Sequence, residues 1–304
     1  MSTQANVTTT SPMGSRASAA ISPLRSLQWS IQRELWEYRS IYIAPAVVAG
    51  LVLFGHLIGT TVRVWENSLR VDQAEANSLV MHNNFGALLL MAASFVVSVF
   101  YSIDALYGER RDRSILFWKS LPVSDLITVL AKFCIPVLLI PLVSVSFTVA
   151  MHLIMLVVSS AAVLARGESV TALWNQLHLV HIWRVLLYHY VALHGLWFAP
   201  IYAWLLAVSA WARRVPILWA ALPVVVIAII ERMIYNTSYL GRLLQNRTFG
   251  GPDPVTSGGG FSMEALMQPD PSELAAKPGL WIGFAIAAAF LAIGVRLRRN
   301  REAI

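Results

Sequence analysis

Long apolar runs, nearly free of charge, dominate the chain and exclude most soluble folds. They lie at about 41–62, 85–106, 129–159, 186–211, 216–235 and 279–295. A helix rises about 1.5 Å per residue, so roughly 20 residues cross the ~30 Å hydrocarbon layer of a bilayer. Only 13% of the residues are charged, where soluble domains carry about a quarter, and the charges cluster between the runs. The expected fold is an all-α integral membrane protein with six transmembrane helices. The run over 129–159 is longer than the hydrocarbon slab, so it must tilt, or kink at Pro136 and Pro141.

The net charge of +7 does not point to nucleic acid. The basic residues flank the apolar runs, where anionic headgroups lie, so lipid rather than nucleic acid is the expected contact. Alternate sides of a six-helix path hold 15 and 8 of the 23 Lys and Arg. That bias makes the richer side cytoplasmic, with both termini there, in the inner (plasma) membrane.

Residues 1–23 are rich in Ser, Thr and Ala, lack the apolar core of a secretory signal, and are expected to be disordered. Over 24–40, Leu24, Leu27, Ile31, Leu35 and Tyr38 recur at spacings of three and four. Arg25, Gln28, Gln32, Arg33 and Arg39 lie largely elsewhere, and Trp29 and Trp36 suit a headgroup layer. This segment is expected to be an amphipathic interfacial helix. The long outer segment 236–278 holds a Gly-Pro-rich stretch at 250–260 and a short helix at 261–267, and reads as a flexible external loop. A basic cytoplasmic tail covers 298–304.

The cytoplasmic loop over 107–125 carries the functional signal. It opens with five charged residues, Glu109 to Arg113, which are expected to lie in water. Ile115, Leu116, Phe117 and Trp118 follow, a cluster far too short to span a bilayer. Ser114 can cap a short helix, Pro122 discourages its continuation, and Ser124 or Asp125 can cap the next. An exposed apolar cluster needs a cover. Aromatic anchors ringed by charge have the composition of a protein–protein hot spot. On these residues alone, lying back on the headgroups is an equal alternative.

The run Glu109-Arg110-Arg111-Asp112-Arg113-Ser114-Ile115-Leu116-Phe117-Trp118-Lys119-Ser120-Leu121-Pro122-Val123-Ser124 resembles the signature loop of bacterial ABC-2-type transporter permeases. The layout is similar too: a surface helix, six spans, and this loop between spans two and three. The resemblance implies a coupling helix that docks into a cleft of a separate cytoplasmic ATP-binding subunit. Arg113, Ser114, Ile115, Leu116, Phe117, Trp118, Lys119, Leu121 and Pro122 would form that interface. It further implies a second permease protomer, identical or not, and an exporter. The chain has no Gly-x4-Gly-Lys-Ser/Thr loop, so ATP and Mg²⁺ are expected on the partner, with no cofactor or catalytic residue here.

Other residues raise competing chemistry. His178, His181, His189 and His194 fall within 17 residues, a cluster that prompts a metal hypothesis. No Cys or carboxylate accompanies them at ligand spacing, so structural or interfacial roles and no metal are expected. His56 and His152 sit singly on apolar faces, and Cys134 reads as a small hydrophobe. Asp104 is placed either to meet one of Arg110 to Arg113 or to reach water, and Glu231 to pair with Arg232 or another neighbour or to reach the interface. Two alternatives to a transporter stand beside it. One is an intramembrane enzyme using the span-four histidines; the other is a membrane scaffold whose loop recruits a cytosolic partner.

Overall fold

The computed structural model describes residues 22–66, 73–120, 123–171, 174, 179–248, 275–276 and 278–300. The expectations for the N-terminal tail before Ser22, Leu121, Pro122, His178, the 250–260 and 261–267 stretches and residues 301–304 lie outside the described residues.

Among the described residues the regular structure is entirely helical. The helices are α1 (Pro23–Glu37), α2 (Ser40–Trp65), α3 (Gln73–Arg111), α4 (Ile115–Ser120), α5 (Asp125–Cys134) and α6 (Ile140–Leu164). They continue with α7 (Leu179–Tyr188), α8 (Ala199–Trp211), α9 (Pro216–Tyr235), α10 (Tyr239–Thr248) and α11 (Pro278–Asn300). Two π-helical stretches, Ile135–Leu139 and His189–Trp197, join α5 to α6 and α7 to α8. Among the described residues five helices are long and apolar enough to cross a membrane: α2, α3 from Met81, the continuous Asp125–Leu164 segment, α9 and α11. Val180–Trp197 and Ala199–Trp211 pass that test together, with a 45° bend between them.

Where proline interrupts a helix, a backbone N–H is missing and the geometry shifts. Pro136 lies inside the first π-helical stretch and Pro141 just beyond it, which localises the irregularity expected in this segment. Pro200 opens α8 after the bend at Phe198, so the run over 186–211, expected as one span, is broken. The two π stretches touch each other. A β-carbon on Gly195 would collide with the Val137 carbonyl oxygen, whose usual helical donor four residues on is Pro141, which has no N–H.

Two segments outside the long apolar runs are helical where described. The polar segment 63–84 is largely helical where described, because α2 runs on to Trp65 and α3 starts at Gln73. The 236–278 loop begins with α10, whose first N–H groups are held by Glu231: its carboxylate accepts from the N–H groups of Tyr239 and of Leu240 (2.9 Å), and from the Thr237 hydroxyl at 3.0 Å. That is Glu231's role, a helix cap in place of a pairing with Arg232.

The core is built where α2, α3, α5, α6 and α8 converge, around Ile41, Tyr101, Leu106, Val129, Ile135 and Leu206. Ile31, Leu35 and Tyr38 of α1 pack against it, while Leu24, Trp29 and Trp36 stay exposed. At one end of the bundle meet α1, the C-terminal ends of α3, α8 and α11, and the N-terminal end of α5. Near the other end His56 contacts Ser159 at 3.1 Å, and His152 meets the Asn83 carbonyl at 3.1 Å. The chain therefore runs away from the first end along α2, α5–α6 and α9, and returns along α3, α7–α8 and α11.

Candidate functional site

The segment between α3 and α5 folds as a short helix mounted on the end of the bundle. Arg113, in the left-handed region at φ 58°, turns the chain after α3. The Trp118 N–H then bonds to the Ser114 carbonyl at 3.0 Å, and the Ser124 hydroxyl caps α5 by accepting from Ile127 N–H at 3.3 Å. The side-chain hydroxyl of Ser114 donates instead to the Glu109 carbonyl at 3.4 Å.

The apolar cluster divides in two. Ile115 is buried at 1% exposure, while Leu116 and Phe117 each stand 60% exposed. Trp118 is half-buried: its ring meets Phe117 edge-on at 4.9 Å and lies 3.9 Å beneath the Arg33 guanidinium. Arg113 and Lys119 are exposed at its margins.

The charged residues before it are not all in water, contrary to expectation. Glu109 and Arg110 are buried, at 3% and 2% exposure, and Arg111, Asp112 and Arg113 are exposed. Glu109 is covered because it is the centre of an ion cluster drawn from four helices. Lys132 Nζ of α5 lies 3.2 Å from it and 2.8 Å from Glu34 of α1. Arg33 Nη2 reaches Glu109 at 3.0 Å and also pairs with Glu34. Arg298 of α11 pairs with Glu109 and reaches Asp125 at 3.0 Å. The Tyr101 hydroxyl donates to Glu34 at 2.7 Å. Glu34, Glu109 and Asp125 face Arg33, Lys132 and Arg298, with the more exposed Glu37 3.8 Å from Arg33, and this pairing of opposite charges is what permits charge at such depth. Burial pushes the Glu34 carboxyl up, but Lys132 and Arg33 outweigh it and hold the carboxyl below its ordinary range.

Arg110 serves a different purpose. Its guanidinium donates to the carbonyls of Ser209 (2.7 Å) and Ala212 (2.6 Å), closing the C-terminal end of α8 with a cation, as the helix dipole favours. Ser209 in turn accepts from the N–H groups of Leu106 (3.0 Å) and Tyr107 (2.9 Å). Asp104 takes both of its expected courses: it is partly exposed, and it lies 3.8 Å from Arg111 while accepting from the Tyr38 hydroxyl at 3.2 Å. It lines a cavity of about 380 Å³ with Tyr38, Phe100, Tyr101, Ile103 and Ile217.

The histidines scatter. His189 faces the Val185 carbonyl at 2.8 Å, and His181 lies 3.2 Å from Arg184. His194 is buried among Phe95, Phe198 and Tyr202, with Ser98 at 3.4 Å. Among the described residues no three His, Cys, Asp or Glu side chains converge as metal ligands would. Cys134 is half-buried.

Residue patterns alone missed Arg33, Glu34, Lys132 and Arg298. Two carried a signal. Glu34 lies three and seven residues from Ile31 and Leu27, on the apolar stripe of α1, and Lys132 sits between Ala131 and Phe133 inside an apolar helix. A charge in either place calls for a buried partner. What no spacing could supply was the pairing between them, 98 residues apart.

Comparison with known proteins bears on the same region. Residues 77–191 match the family described as ABC-2 family transporter protein. That stretch takes in α4 with Glu109, Asp125 and Lys132, and leaves Arg33, Glu34 and Arg298 outside. No curated protein and no solved structure matches the chain. The described helices thus mark a multi-pass membrane protein, and over residues 77–191, the stretch that bears the loop, the chain is similar to the ABC-2 family of transporter proteins.

Proposed function

We propose that this chain is the membrane-spanning half of an ATP-driven exporter in the inner (plasma) membrane, crossing it six times with both termini cytoplasmic. A separate ATP-binding subunit, holding ATP and Mg²⁺, receives α4 as a coupling helix. The observation that carries this reading is the split within α4: Ile115 and Trp118 face the permease, while Leu116 and Phe117 project outward, each 60% exposed among the described residues. An exposed Leu–Phe pair on a rigid mount has the character of a binding hot spot. The ion cluster beneath it supplies the rigidity a coupling element needs, since movement of α4 must carry α3 and α5 with it to change access across the membrane.

A second protomer and lipid would cover the remaining surface. Only 6% of the spanning window of α9 is buried within the chain, and 22% of those of α2 and α11. Exposed Leu24, Trp29 and Trp36 suit α1 to the headgroup layer.

The test is co-purification. Phe117→Asp is expected to insert normally yet to lose the ATP-binding subunit, a change worth about 2 kcal/mol or more, or roughly 30-fold in affinity. Undiminished recovery of the complex, with unchanged stimulation of ATP hydrolysis, would overturn the assignment.

A further inference from the structure

The coupling helix is only six residues long. The Leu116 N–H reaches the Arg113 carbonyl at 3.3 Å and the Trp118 N–H the Ser114 carbonyl at 3.0 Å. Six residues cannot hold a helical form unaided, so something outside α4 must set its orientation. On its buried side Ile115 enters the bundle. On the other flank the centre of the Trp118 ring lies 3.9 Å from the Arg33 guanidinium carbon.

Arg33 is unusual in serving both the cluster and the helix. One guanidinium nitrogen faces Glu34 and Glu109, Nε lies 3.8 Å from Glu37, and Cζ lies over the Trp118 ring, 3.9 Å from its centre. A planar cation tethered along its edge by carboxylates still offers its face to an aromatic ring, which an ammonium group cannot do as well. Arg298 restrains Glu109 from the opposite side, and Lys132 from below. The cluster therefore fixes the guanidinium, and the guanidinium fixes the ring.

We propose that Arg33 is the positioning residue of the coupling helix: through Trp118 it clamps α4 to α1, so that Leu116 and Phe117 are presented outward in a fixed orientation. This assigns α1 a part in coupling that its place on the membrane surface alone does not give it. The consequence for transport rests on the docking reading above, whereas the clamp itself belongs to the isolated permease.

Hydrogen exchange on the purified permease in lipid nanodiscs separates the two. Arg33→Gln keeps a polar side chain but removes the charge and the planar fork. It is expected to raise exchange at the Leu116 and Trp118 amides by roughly three- to tenfold, with the amides of α6 and α8 unchanged. Arg33→Lys should fall between wild type and Arg33→Gln, because it keeps the charge without the fork. Arg25→Gln, on the same helix near Trp29, serves as the control and should leave α4 exchange alone. If α4 exchange does not change in Arg33→Gln, or rises only in step with α6 and α8, the clamp is wrong. If α4 loosens as expected while Phe117→Asp still binds the ATP-binding subunit, the clamp stands and the docking reading falls. Where both hold, Arg33→Gln should retain the partner but lose its stimulated ATP hydrolysis.

Discussion

At Glu34 a carboxylate on an otherwise apolar helical face meets Lys132, Arg33 and the Tyr101 hydroxyl, with no exposed surface left. Such a group stabilises the fold only while it is ionised. Its carboxyl sits below the ordinary 4.5 in the folded chain, held there by Lys132 and Arg33 against the opposing effect of burial. The stabilisation is therefore complete above that ordinary value and is lost as the pH falls through the lower, folded one. Thermal unfolding in detergent should be insensitive to Glu34 between pH 7 and about 5, then weaken on further acidification. Glu34→Gln should be less stable at pH 7, since Lys132 and Arg33 lose a counter-charge, and should show a shallower fall below pH 4.5. Parallel profiles for the two proteins would contradict this account. The case also shows what residue spacing conveys and what it omits. The stripe through Leu27, Ile31 and Leu35 foretold the buried face of α1, and Glu34 on the same stripe marked a paired charge, yet nothing local identified Lys132 as the partner. Likewise the charges from Glu109 to Arg113 read as solvated because hydropathy counts residues singly, whereas the cluster neutralises Glu109 through three distant helices.

Among the elements, the helices were legible and their interruptions only partly so. Apolar length announces a spanning helix because hydrocarbon leaves the backbone no other partner. Prolines announced trouble near 136 and 141, and a π-helical stretch lies there. The second stretch, His189–Trp197, contains no proline, and its cause is tertiary. Gly195 brings its backbone against the Val137 carbonyl, where Pro141 leaves the usual N–H absent. The two irregular stretches thus accommodate each other in the middle of the bundle. Gly195→Ala tests this directly. The added methyl cannot be absorbed by rotating a side chain, because it meets backbone, so the two stretches must separate. A loss of about 1–3 kcal/mol is expected, visible as a lower unfolding temperature of the purified protein. Gly59→Ala, where no atom lies near the new β-carbon, should be close to neutral or slightly stabilising. Equal behaviour of the two variants would mean the contact between the stretches carries no energy.

For the molecule as a whole, the proposed six crossings rest on which ends meet. Arg33 of α1 and Arg298 near the end of α11 both contact Glu109, so the first described helix and the last one's C-terminal end share one end of the bundle. A chain that starts and finishes on one side must cross an even number of times. Five crossings would leave it on the other side; on the proposed topology the bent α7–α8 pair is the sixth passage, ending at the Ser209 carbonyl beside Arg110. The proposed cytoplasmic placement of this end rests on the excess of Lys and Arg that the sequence assigns to it. Reporter fusions decide the point. A fluorescent protein placed after Ile304 should fold and glow, and alkaline phosphatase at the same position should be inactive. Phosphatase inserted after Gly258, in the longest predicted outer segment, should be active. Phosphatase activity at the C-terminus would require an odd number of crossings or an inverted chain. An inverted chain would carry α4 and its exposed Leu116 and Phe117 away from any cytoplasmic ATP-binding subunit.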